Sequence, residues 1–436
     1  MTGTEQIIEL ESIGREMHQF ISDLYPICRS ISGEGLRKTL GLIGRHIPLT
    51  IHEVPTGTQV FDWTVPREWN IRDAYIKNAK GEKIVDFKKS NLHVVGYSVP
   101  VRKKLPWREL KEHLFTLPDQ PDLIPYRTSY YKETWGFCLS HNQFLGLGDG
   151  EYEVCIDSTL TEGSLSYGEY FIKGARDDEV LISCHACHPS LCNDNLSGIS
   201  LVTWLAKRLT PLSLQYSYRF LFIPVTIGSI AWLSRNESRA SRIKHGLVVA
   251  SVGDAGRSTY KKSRRGSAEI DRTVTHVLKH SGQDYELREF IPYGYDERQY
   301  CSPGFDLPVG SLTRTPNGRY PEYHTSADNL DFVRPQYLAD SLQKYLSVVD
   351  VLEHNEKYLN KNPKCEPQLG KRGLYRAMGG YIDAGRRELA ILWVLNLSDG
   401  HHSLLDIAER SDLPFGLIKN TAQTLREHDL LEMINN

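Results

Sequence analysis

From Glu179 to Thr313 the chain alternates short apolar runs with amphipathic segments, and this alternation restricts its fold more than any other feature. EVLISCHA, YRFLFIPV, HGLVVASVGDAG and DLPVGSLT contain the continuous apolar stretches of strands buried on both faces. Between the first three, GISLVTWLAKRL is an amphipathic helix and IGSIAWLSRN opens the next one. Strands alternating with helices imply an α/β fold, with a largely parallel sheet covered on both faces. Ligands of such sheets bind beyond the carboxyl ends of the strands, and the polar motifs of this chain stand at those ends.

The flanking segments read differently. Residues 5–24 and 33–46 have helical spacing, and from about 58 to 165 the runs are short, β-rich and separated by turns. Residues 360–385, rich in Lys, Gly, Pro and Arg, read as a linker. Three helical patterns follow (ELAILWVLNL, LLDIAERS and PFGLIKNTAQTLREHDLLEMI), the outline of a helix-turn-helix or winged-helix module. A length of 436 residues accommodates two or three such domains. A net charge of −2 argues against a whole-chain electrostatic nucleic-acid binder. The first twenty residues lack the basic start and apolar run of a signal peptide, and no stretch has the roughly 18 apolar residues of a membrane span. The expectation is a cytoplasmic protein with no membrane partner.

The segment SCHACHPSLCNDNLSG, residues 183–198, lies between a strand and a helix and offers His and Asp within a tight turn, as a catalytic zinc requires. Cys184-x-x-Cys187-His188 also matches a haem attachment pattern, a redox pair or half of a zinc knuckle. On a buried strand end, its cysteines read as structural thiols. His185 and His188 are an odd number apart, so a strand would aim them oppositely. His188, beside the turn and nearer Asp194, is preferred as ligand, with His185 as a packed or supporting histidine. Asp254 ends the strand of SVGDAG, where an acid either reaches the site or caps a turn. His324, in YHTSAD, is a ligand candidate from a distant loop.

The order HPSLCNDNLSG, an apolar strand with PVTIGS, SVGDAG and YHTSAD resembles the co-catalytic zinc aminopeptidase superfamily. Over nearly its whole length, through WNIRDAYIK, DFKKSNLHVVGYSVPV, TLPDQPDLIPYRTSYY, WGFCLSHNQF, GDAGRSTYKKSRRG, DERQYCSPG and GKRGLYR, the chain is similar to bacterial polysaccharide-biosynthesis proteins with an aminopeptidase-like domain. The resemblance implies an aminopeptidase-like α/β domain (1–57 and 166–360) with a mostly parallel or mixed sheet. It also implies an inserted β-rich domain (58–165) and a linker with a winged helix (361–436). It implies that His188, Asp194 and Asp254 hold zinc, with Asp194 bridging and His324 serving a second position. The superfamily places Glu-Glu after the second core strand, as base and metal ligand; the nearer relatives read Pro-Glu-Thr. This chain has Pro224-Val225-Thr226. Valine moves no proton and threonine is a poor zinc ligand, so one zinc ion is expected and hydrolysis lacks its usual base. Glu297 and Glu269 are the candidate replacements.

Other residues carry weaker readings. Four of the seven residues in YKKSRRG are cationic, so Lys262 and Arg265 read either as an anion clamp or as a solvated loop. Arg298 carries the same two readings, and Tyr323 is a substrate-contact candidate beside His324. His141 reads as a turn histidine before a roof over the site. The last helical segment offers Lys419 and Arg426 as its cations near a helix face, thin for DNA. The expected partner is a small amine-bearing or peptide-like substrate rather than nucleic acid, with homo-oligomerisation left open. The expected activity is zinc-dependent amide hydrolysis in glycan or secondary-metabolite biosynthesis, or metal binding with lost or changed catalysis.

Overall fold

The structure, a computed structural model, describes residues 3–374 and 384–434. It divides into two compact units, Met1–Ala268 with Tyr285–Gln343, and Glu269–Asp284 with Lys344–Asn436.

The first unit is built on an eight-stranded sheet. Its strands are β1 (Thr50–Pro55), β2 (Ser164–Ile172), β3 (Glu179–His185), β4 (Ser217–Ile223), β5 (Ile243–Val249), β6 (Ser258–Lys261), β7 (Tyr285–Arg288) and β8 (Val309–Thr313), in the spatial order β1-β2-β4-β3-β5-β8-β6-β7. Pairing is parallel from β4 through β3 and β5 to β8, and antiparallel at β1–β2, β2–β4 and β8–β6. Every residue of β3 and β4 is buried, which is why their sequences are near-continuous apolar runs rather than alternations. The one cation inside β4, Arg219, is neutralised across the sheet by Glu179 of β3 and Glu169 of β2. A buried charge is tolerated when it is paired in this way.

Helices α1 (Gly3–Leu24), α2 (Glu34–Ile43), α3 (Ser197–Leu209) and α4 (Ile227–Arg235) accompany the sheet, and α5 (Pro335–His354) closes the α/β part of the chain. Ser200 of α3 donates to the Met17 carbonyl of α1 at 3.0 Å. Between β1 and β2 the chain makes a four-stranded antiparallel sheet, in the order Lys83–Asp86, Glu68–Lys77, Glu151–Thr161, Val101–Pro106. It has its own core of residues such as Ile76, Phe137 and Ile156. A loop of this insertion returns to the main sheet: Pro125 bridges Thr325, and the Tyr126 amide donates to the His324 carbonyl at 2.7 Å.

In the second unit, helices Ala384–Leu397, Leu404–Ser411 and Phe415–Glu427 pack with a three-stranded sheet of Lys357–Asn360, Asp399–Ser403 and Leu431–Met433. Ser403 and Asp406 form a capping box that starts the middle helix. Residues 375–383 of the sequence-predicted linker lie outside the described residues. No described helix is long and apolar enough to cross a membrane.

Candidate metal centre

β3 is central in the sheet, and its last residue, His185, emerges at the carboxyl end. The chain then leaves the strand, and buried Arg29 anchors it by donating Nε to the His188 carbonyl at 2.9 Å. An irregular turn, Cys192–Leu196, precedes α3 and carries Asp194. Three side chains fix that turn. Asp328 accepts the Asn193 amide at 2.5 Å and the Asp194 amide at 3.0 Å. Asn193 accepts from the Gly253 amide at 2.9 Å. Asn195 donates to the Val249 and His185 carbonyls and accepts the Gly198 amide.

These supports point the two oxygens of the fully buried Asp194 at different histidines. Its Oδ1 lies 2.9 Å from His185 Nε2, and its Oδ2 lies 3.0 Å from His324 Nε2 and 3.7 Å from His188 Nδ1. Ligand atoms of His185, His188 and Asp194 all fall within 4.8 Å of one another. His188 Nδ1 is buried and makes no hydrogen bond. Buried polar atoms are normally paired, so this nitrogen is free to coordinate a cation. Burial holds the His188 imidazole well below its usual pKa, with Asp194 opposing and His185, His324 and Arg29 reinforcing. It is therefore neutral near pH 7, the form that binds metal. Burial also resists the Asp194 charge, but the imidazoles of His185 and His324, hydrogen-bonded to its two oxygens, hold its carboxyl well below the usual range. Imidazole nitrogens around one carboxylate are a donor set suited to zinc, and the residues present fit one such ion.

Surrounding aromatic rings hold the histidines in place. Tyr126, from the insertion, meets His188 and His324 edge-on at 5.1 and 5.0 Å. Tyr323 stacks on His324 at 4.0 Å, and Tyr295 stacks on His185 at 5.2 Å.

The structure places the sequence candidates as follows. His188, Asp194 and His324 come together, and His185 joins them. The strand-parity argument against His185 does not operate, because β3 ends at His185 and residues 186–188 are no longer extended strand. Asp254 faces elsewhere: its carboxylate accepts from the Gly256 amide at 2.8 Å, the Thr315 hydroxyl and amide at 3.1 and 3.2 Å, and Asn193 Nδ2 at 3.3 Å. It braces the turn through Asn193. Cys184, Cys187 and Cys192 are buried free thiols. Burial raises all three pKa values, that of Cys187 to about 12, so none offers a thiolate at neutral pH.

Val225 sits half-buried just beyond β4, its amide donating to Cys187 Sγ at 3.4 Å. Glu269 belongs to the second unit, bonded to Asn355 at 2.7 Å. Glu297 is buried and ion-paired with Lys261. The carboxyl tied to the Pro224–Thr226 turn is Asp296, unnoticed in the sequence. The Ser229 hydroxyl lies 2.7 Å from both Asp296 Oδ1 and the Thr226 carbonyl. Burial lifts the Asp296 carboxyl to about 7, with Ser229 and His185 opposing. Its neighbourhood in space, not in sequence, reveals it.

The cations of YKKSRRG diverge. Lys262 pairs with Glu289, and exposed Arg264 and Arg265 pair with Asp306. The buried one is Lys261. Arg298 keeps a buried, unbonded Nε. His141 accepts or donates a 3.0 Å hydrogen bond with Thr116 and stacks on Phe144, as a turn histidine would.

Comparison with known proteins agrees with this architecture. Residues 18–355 match DUF4910, a domain of unknown function, and residues 356–433 match a winged helix-turn-helix family. A Clostridium acetobutylicum protein, named for polysaccharide biosynthesis and an aminopeptidase-like domain, is 56% identical over 421 residues, 97% of each chain. A Clostridium acetobutylicum crystal structure carrying a provisional peptidase name superposes with a TM-score of 0.94 at 54% identity, over 99% of both chains. BSAP, a zinc aminopeptidase from Bacillus subtilis, superposes with a TM-score of 0.56 at 13% identity, over 78% of this chain and 94% of that one, a likeness of fold alone. The chain thus belongs to the DUF4910 family, with an aminopeptidase-like α/β fold and a C-terminal winged helix.

Proposed function

We propose that this protein is a zinc-dependent amide hydrolase acting on a small amine-bearing or peptide-like substrate, in glycan biosynthesis. The observation that carries the reading is the buried Asp194 carboxylate, its two oxygens aimed at His185 and His324 with the unbonded His188 Nδ1 beside them. The 56%-identical relative, named for polysaccharide biosynthesis, supports the pathway. One ion is expected, because Thr226 stands where a further ligand would be.

A zinc ion held there supplies Lewis-acid polarisation of a scissile carbonyl. Asp194, His185, His188 and His324 would hold it, and Tyr126 and Tyr323 would fix the imidazoles. Asp296, joined to the Pro224–Thr226 turn through Ser229, is the poorer substitute for the base that Val225 cannot supply. A second reading, metal binding without hydrolysis, is favoured by Val225 itself, since general-base loss costs about 10²–10⁴ in rate.

Metal analysis with an aminoacyl-substrate assay separates the two. We expect about one zinc per chain, lost in Asp194→Ala and His185→Ala but kept in Asp254→Ala and Asp296→Asn. Asp296→Asn should lower turnover. A chain that takes up no zinc sinks both readings; a zinc-loaded chain without amidase activity leaves the second.

A further inference from the structure

A polar surface lies on one face of the sheet near its edge, built from residues other than the four of the metal centre. Side chains alternate along a strand, so Thr259 and Lys261 of β6 share a face, and in register with them stand Thr313 and Ser311 of β8. All four are buried. Burying polar groups costs stability unless each finds a partner, yet Ser311 Oγ and Glu297 Oε2 make no hydrogen bond. Glu297 Oε1, by contrast, receives Lys261 and the Tyr295 amide. Both orphaned residues line a cavity of about 120 Å³. Gly294, at φ +149°, lets the covering loop approach: a Cβ there would lie 2.4 Å from Glu297 Oε1.

The cavity's charges are one-sided. Lys261, Arg288 and Arg319 line it against the single carboxylate of Glu297. Arg319 is half-exposed, and it shares Glu286 with Arg288, at 3.4 and 3.8 Å, so that two guanidinium groups meet one carboxylate. The floor therefore offers an unused buried acceptor and a hydroxyl, and the wall adds guanidinium groups suited to a carboxylate or phosphate. Tyr295 is both a lining residue and the ring stacked on His185, so the cavity adjoins the metal centre.

We propose that this cavity binds an anionic sugar group, its hydroxyls bonding to Glu297 Oε2 and Ser311 and its acid group meeting Arg288 and Arg319. The carboxylate of a uronic acid and the phosphate of a sugar phosphate satisfy the same chemistry. The assignment deepens the hydrolase reading and rests on it for the cavity's role as a substrate subsite; binding itself is measured independently.

The test is calorimetric titration of the full chain, zinc-loaded and zinc-stripped, with glucuronate, glucose 6-phosphate, glucose and inorganic phosphate. Glucuronate or glucose 6-phosphate should bind at least about tenfold more tightly than glucose or phosphate, the discrimination expected of a charge-assisted hydrogen bond. Whichever of the two binds identifies the source of the charge. Arg319→Ala, at a half-exposed site that tolerates truncation, should weaken that binding about tenfold or more with zinc content unchanged. Ser311→Ala should weaken it for both anionic sugars. If neither anionic sugar binds, or if glucose or phosphate binds as well, the proposal is wrong. An Arg319→Ala chain that binds like the parent also overturns it. If anionic sugars bind but zinc does not, the hydrolase reading fails and the cavity assignment stands. Zinc uptake and amidase activity without sugar binding give the reverse.

Discussion

At the scale of single residues, the chain departs from the aminopeptidase pattern it resembles at two neighbouring side chains, Val225 and Thr226. Val225 lies two residues beyond β4, where its amide bonds to Cys187 and its side chain packs against the core. A carboxylate there would stand where the zinc aminopeptidase pattern has its base. Val225→Glu is therefore expected to raise turnover on aminoacyl substrates by about 10²–10⁴ without changing zinc content. Steady-state kinetics beside metal analysis checks this; unchanged turnover with zinc still bound would show that Asp296 already fills the role. The residues of the candidate centre were only partly legible in the sequence. His188, Asp194 and His324 stand in recognisable motifs. His185 was set aside by a parity rule valid only inside a strand, and β3 stops at that residue. Asp254 has the right position in the motif order, but Thr315 and Asn193 occupy its carboxylate. Such pairings between distant segments leave no mark on local sequence.

At the scale of elements, burial on both faces made β3, β4, β5 and β8 readable, because each is an apolar run with clear ends. β6 and β7 are polar strands of four residues each, β7 at the sheet edge and β6 beside it, with weaker signals. The helix Glu269–Lys279 lies between them in sequence yet belongs to the other compact unit, which no local periodicity could announce. The start of α3 carries a sharper constraint. A Cβ on Gly198 would lie 2.3 Å from Asn195 Oδ1, forcing away the amide that secures the His185 and Val249 carbonyls. Gly198→Ala should destabilise the first unit by about 1–3 kcal/mol, the usual cost of overpacking, and weaken zinc binding. Denaturant unfolding and competitive zinc titration measure the two effects; parental values in both would remove Asn195 from the positioning scheme.

Helix Glu269–Lys279 also carries a pH response. Burial lowers the His276 imidazole to about 4, with His280 and Lys279 reinforcing and Asp412 opposing. The unfolded chain, titrating near 6.5, then binds more protons than the folded one between these values. Stability from this residue is complete above about pH 6.5 and is lost as pH falls toward 4. His276→Phe should flatten that slope in urea unfolding followed from pH 7 to 4, and an unchanged slope would assign it to other groups.

At the scale of the whole molecule, an aminopeptidase-like domain is joined in one chain to a fold common among DNA-binding modules. Fold does not fix function, so the surface has to decide. The helix Phe415–Glu427 would be the reading helix of a DNA-bound winged helix. Its Lys419 is held by both Asp350 oxygens, at 2.6 and 2.7 Å. Arg426 is exposed, followed directly by Glu427. Phosphate contacts supply essentially all non-specific DNA affinity, each adding to its salt dependence, and this face presents few. We expect no complex of the full chain with duplex DNA at 150 mM salt and micromolar protein, roughly the strength of ordinary non-specific binding. Asp350→Ala, which frees Lys419, should add at most weak binding that disappears with salt. A gel-shift series from 50 to 200 mM salt reads both outcomes. A salt-resistant complex would give the winged helix a regulatory role; its absence leaves the module to pack or to join copies of the chain.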